Sequence, residues 1–176
     1  MARAALKALS RKELTVDELY ETLDAFTNMP AQAVALIGVS LLEDALRSAI
    51  IRSFKRELSN NDLTMLFEDG PISGIGARAA LAFALGIIGE DTRADLNCLK
   101  DIRNAFAHSR VNLDFDTPEI ADACKSLTAL ERVHFPEGTK GWPPEGPRSM
   151  FRVAIRLTWL HITQRGFGGV TIMKTP

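Results

Sequence analysis

The chain has 176 residues, 46% hydrophobic and 24% charged, with a net charge of −1 and a pI near 6.3. That length suits one domain with its own core, in the composition range of ordinary globular proteins. No global basic field would draw in nucleic acid, so any such binding has to come from a local patch.

Cys98 and Cys124 lack metal-ligand spacing and fall on apolar helical patterns, which predicts buried free thiols in a reducing compartment. Residues 1–7 carry two cations with no signal-peptide core behind them. The most apolar run, 72–88, contains Arg78 and three glycines and is too short to span a membrane. A cytoplasmic protein is expected, with residues 1–14 flexible.

Helical periodicity dominates and strand alternation is nearly absent. Thr15-Val16-Asp17-Glu18 has the form of a capping box, predicting a first helix over 15–26. Pro30 suits the first turn of a long helix reaching 58, with an apolar stripe of Leu36, Val39, Leu42, Ala45, Leu46, Ala49, Ile50 and Phe54. Arg52, Lys55 and Arg56 gather at its C-terminal end, where cations suit the dipole. A short helix over 62–67 stops at Gly70-Pro71, and 77–88 forms a helix with little polar surface, ended by Gly89. The next helix covers 91–108, and Pro118 opens another to about 133, capped by Asp116 or Thr117. Residues 136–147, with four prolines and three glycines, read as an ordered excursion. The last helix, 147–164, buries Phe151, Ile155, Leu157, Leu160 and Ile162, and 170–176 frays. The expected architecture is a single all-α domain, a bundle of six or seven helices.

On a wheel of the 91–108 helix, Leu96, Leu99, Ile102 and Phe106 form the apolar stripe. Asn97, Asp101, Asn104 and His108 share a separate polar face, and Arg103 lies about 140° around from His108. The two side chains converge only through the length of the arginine, an unwound last turn, or a second subunit. If they converge, His108 can act as general base on a ribose 2′-hydroxyl while Arg103 holds the phosphate and Asn104 orients either. The plain alternatives are a surface histidine at a helix end and an arginine in a structural ion pair. Glu43 and Asp44 sit within the long apolar helix, so at least one should face a neighbouring helix, with Arg103 as a candidate partner, the plain alternative being a solvated face.

Arg148, Arg152 and Arg156 recur every four residues beside Trp159, a weak candidate for phosphate binding and base stacking, or else the solvent edge of a buried helix. His134 and His161 are assigned structural roles. No carboxylate–histidine cluster is spaced for a metal, and no cofactor is expected. Gly74-Ile75-Gly76 lacks the strand and full spacing of a phosphate loop.

Residues 66–130 resemble the mannitol operon repressor family of MltR-like regulators. The likeness is carried by Asp69-Gly70-Pro71-Ile72, by the run from Leu81 to Ile88, by Asp95-Leu96, and by Ile102 through Ser109. Leu113-Asp114-Phe115 and the segment from Glu119 to Cys124 complete it. The resemblance implies an all-helical regulator without a recognisable DNA-binding motif. The six residues Arg103-Asn104-Ala105-Phe106-Ala107-His108 also resemble the arginine, four intervening residues, histidine motif of HEPN ribonucleases. That second likeness implies Arg103 and His108 as catalytic, with Asn104 supporting; Asp101, on the polar face with His108, and Glu43 are further supporting candidates from their positions.

The first reading is therefore a regulator acting through a protein partner, homodimeric, with no sequence-specific DNA binding and no membrane. The alternative is a metal-independent endoribonuclease, a toxin or defence effector, whose ligand is RNA and whose partner would be an antitoxin.

Overall fold

Capping boxes open two of the helices. The computed structural model describes residues 14–134, 142–163 and 171–172. Helix α1 (Val16–Ala25) starts where the Glu18 N–H donates to Thr15 Oγ1 at 3.2 Å and the Thr15 N–H donates back to the Glu18 carboxylate at 2.9 Å. A 3₁₀ turn, Phe26–Asn28, leads to α2 (Ala31–Ser53). Ser59 and Asp62 form the second box, at the head of α3 (Asn60–Phe67). Then come α4 (Ile75–Ala84), α5 (Glu90–His108), α6 (Pro118–Lys125), a 3₁₀ turn at Thr128–Leu130, and α7 (Gly146–Thr163). A two-residue strand, Val133–His134, pairs antiparallel with Thr171–Ile172.

Three expected boundaries move, each for a reason visible in the structure. The second helix stops at Ser53 rather than 58, because Phe54 turns extended (φ −69°, ψ 138°) and packs partly buried against the core. Gly86, not Gly89, ends α4: its φ of +70° suits a residue without a side chain. The Ile87 N–H then reaches the Ala82 carbonyl and the Gly86 N–H that of Phe83, both at 2.9 Å, a Schellman closure. The helix from Pro118 breaks at Lys125, and Leu127 turns extended before the 3₁₀ turn. Thr117 is its N-cap residue, but the Thr117 Oγ1 accepts from the Asp114 N–H instead of capping the helix.

The centre is the α2–α7 pair. Helices α4 and α5 pack on α2, while α6, the second 3₁₀ turn and α1 pack on α7. Gly38 allows the close approach: a Cβ there would stand 3.0 Å from Phe151 Cε1 and 3.3 Å from Ile155 Cγ1. Phe106, Phe115 and Phe151 stack in a tilted row, with centroids 5.2 and 5.1 Å apart, tying α5 to α7. Residues 136–141 of the 136–147 excursion and most of the two chain ends lie outside the described residues; Trp142 packs partly buried against the core.

Candidate functional site

The end of α5 carries the residues of interest. The helix stays regular through His108, and Ser109, extended at φ −64° and ψ 140°, ends it with its N–H on the Ala105 carbonyl at 3.0 Å. Unwinding of the last turn therefore does not bring Arg103 and His108 together. His108 is exposed, while Arg103 and Asn104 are half-buried. Arg103 Nη1 donates to Asn104 Oδ1 at 3.0 Å, so the amide is engaged by the neighbouring guanidinium. From the first turn of α2, Gln32 Nε2 donates to the Phe106 carbonyl at 3.2 Å, satisfying an acceptor near the helix end. Asp101 is exposed beside Lys100, Nζ to Oδ1 3.4 Å.

Glu43 is half-buried and Asp44 exposed on α2. Arg78 lies within electrostatic reach of both, and burial holds the Asp44 carboxyl above its usual range against the pull of Arg78 and Arg47.

The basic stripe of α7 packs inward on α1 and the turn after it. Arg148 Nη1 donates to the carbonyls of Phe26 and Met29 at 3.0 and 2.8 Å, and its guanidinium lies 5.5 Å from the Phe115 centroid. Arg152 Nη1 donates to Thr27 Oγ1 at 3.3 Å, and Arg156 lies over Tyr20 at 5.4 Å. Trp159 is 3% exposed. These four positions form no open stacking platform. The arginines sit at the half-buried edge of a helix whose other residues from Phe151 to Leu160 are buried, and from that edge they tie α7 to α1 and the turn after it.

Sequence reasoning passed over two polar residues that organise the bundle. Arg78, 7% exposed, donates from Nε to the Ile72 carbonyl, from Nη1 to that of Glu43 and from Nη2 to that of Phe67, each at 3.0 Å. One side chain thus joins α2, the end of α3 and the turn before α4. Asp95, 2% exposed, accepts the N–H groups of Thr128 and Ala129 at 2.8 Å and Arg132 Nη2 at 2.6 Å. It captures the donors that a continued α6 would have used. Both had a signal in the sequence: Arg78 is the lone charge of an apolar run, and Asp95 falls in register with Leu99, Ile102 and Phe106.

The thiols of Cys98 and Cys124 are free; burial raises both, Cys124 to about 12. Burial, with Arg132 nearby, holds His161 below the ordinary imidazole range. The His134 side chain lies outside what is described. Among the described residues no group of three or more His, Cys, Asp or Glu is placed to hold a metal, and no helix is long and apolar enough to cross a membrane.

The fold and site define an all-α bundle whose polar interior residues fix helix ends and whose motif helix ends at the surface. The chain belongs to the mannitol repressor family: the family model of that description, MtlR, matches residues 15–153. Among solved structures the chain is similar to one in the X-ray structure of the MtlR–HPr complex from Escherichia coli, with a TM-score of 0.63 at 17% identity. The likeness covers 82% of this chain and 98% of that one, and at this identity it is a likeness of fold. No curated protein matches the sequence.

Proposed function

We propose that the chain regulates expression through a protein partner rather than by reading DNA itself, and that the partner is HPr or a protein filling its place. Membership of the mannitol repressor family carries this reading. Two further observations support it: the similar fold occurs in a complex with HPr, and the arginines of α7 are engaged in packing instead of forming a basic face. Titration calorimetry of the purified chain with HPr should show saturable binding. The chain alone should leave DNA fragments unshifted at about 0.1 µM, below the range of ordinary non-specific association. A direct, sequence-selective shift without HPr binding would overturn the reading.

A homodimer belongs to the same proposal, since one regular helix aims Arg103 and His108 apart and a second subunit can complete a shared cleft. Light scattering at high micromolar concentration should give twice the chain mass.

The exposed His108 and the Arg103 oriented by Asn104 support a second reading, cleavage of RNA through a 2′,3′-cyclic phosphate without metal. In that case His108→Ala and Arg103→Ala each lower the rate at least about 10²-fold with the fold intact. Intact total RNA after incubation with wild type, freed of any bound inhibitor, removes this second reading. Equal cleavage by all three proteins marks a contaminant and removes it as well.

A further inference from the structure

Helix α4 is built inside out. Of its ten residues only Arg78 is polar, and Arg78 points inward to three backbone carbonyls. The outward side offers Ala80, Phe83 and Ala84, followed by Leu85, with Gly76 and Ala77 half-exposed at the other end. Phe83 is 38% and Leu85 44% exposed. A surface helix ordinarily turns its polar residues to water; a continuous apolar face marks a place where something docks.

The edge of that face says what kind of partner fits. Two cations of α5 border it. Arg93 lies over the Phe83 ring at 4.9 Å, and Lys100 Cδ comes within 3.8 Å of where a Cβ on Gly76 would stand. The two are seven positions apart, about 10.5 Å along the helix. Asp101 partly offsets Lys100 at 3.4 Å, but Arg93 is exposed at the aromatic end. A second copy docking antiparallel on the same face would set Arg93 of one chain against Lys100 of the other, a like-charge contact. Carboxylates on a different protein meet both favourably.

We propose that the outward face of α4 docks an amphipathic helix of a partner protein, apolar on one side and edged by two carboxylates seven residues apart. Small residues at Gly76, Ala80 and Ala84 let the partner backbone approach closely, and Phe83 and Leu85 anchor one end. The inference rests on the partner-mediated reading above and gives it a location and a chemistry.

The probe is a fluorescent helical peptide of about 20 residues, leucine and alanine on one face, with glutamates at i and i+7 along its edge. A second peptide carries lysines there. Fluorescence anisotropy with the full chain should show the glutamate peptide binding at least about 10-fold more tightly than the lysine peptide. Arg93→Glu should reverse the preference. Ala80→Arg, at the centre of the exposed face, should weaken binding at least about 10-fold, with circular dichroism unchanged. Leu85→Glu serves as a second variant should Ala80→Arg not fold. Binding of both peptides alike, binding of neither, or binding indifferent to these substitutions overturns the proposal. So does a wild-type dimer that Ala80→Arg dissolves, since the face then takes a second copy. HPr binding, measured separately, decides the partner-mediated reading on its own, so loss of the docking face and loss of that reading are distinguishable.

Discussion

Asp95 and Arg78 are single residues with consequences spread over several elements. The Asp95 carboxylate is an acceptor for two backbone N–H groups and ion-paired to Arg132. Asp95→Asn keeps the shape but loses the charge and places an amide NH₂ among donors, so it should cost about 2–4 kcal/mol of unfolding free energy in denaturant titration. Arg78→Met leaves three carbonyls without their donor and should cost about 3–5 kcal/mol by the same measurement. His161 gives a pH dependence of defined sign. Its folded-state pKa is depressed, so the unfolded chain takes up a proton near pH 6.5 while the folded chain does so only at lower pH. That contribution to stability is complete above about pH 6.5 and is lost as the pH falls below it. Melting curves should therefore separate on acidification, with His161→Gln losing less between pH 7 and pH 5 than wild type. Asp44, whose carboxyl is raised, acts with the opposite sign in both proteins and cancels in the comparison.

Helix ends and helix contacts fix the elements. Gly86 holds the left-handed position that closes α4, so Gly86→Ala should destabilise by about 1–2 kcal/mol, read from the shift in thermal midpoint. Gly70 is more demanding, because a Cβ there would stand 1.8 Å from the Met65 carbonyl oxygen. The turn it occupies follows the Phe67 carbonyl and precedes that of Ile72, both held by Arg78, so Gly70→Ala should loosen the clamp as well as the turn. At the α2–α7 crossing, Gly38→Val drives methyls into Phe151 and Ile155, both 0% exposed, and should cost about 1–3 kcal/mol. A capping box is local chemistry, which is why the start of α1 was legible from residue order, and the apolar stripe with its polar face carried α5 to His108. The early stop of α2 and the break after Lys125 were not, because each depends on a group distant in sequence. Phe54 leaves its helix to pack against the core, and Asp95 competes for the N–H groups of residues 128 and 129 from more than thirty positions away.

For the whole molecule, the buried side chains form one continuous cluster running from Leu19 to Ile162. Guanidinium-induced unfolding should accordingly be a single transition, with tryptophan fluorescence from Trp142 and Trp159 coinciding with helix loss by circular dichroism. Two separated transitions would mark a second unit.

The sequence by itself determined the all-α class, the succession of helices and the family likeness, because periodicity, caps and residue order are local properties of the chain. Tertiary structure alone decided what the charges do. Arg148, Arg152 and Arg156 share one stripe by spacing, and the same spacing serves an open basic face or an inward clamp; the position of α1 makes it a clamp. Arg78 interrupts an apolar run, and the fold sets three carbonyls from three segments around it. The reason is physical: a charged side chain takes its role from the partners that folding brings within about 3 Å, and those partners lie far away along the chain.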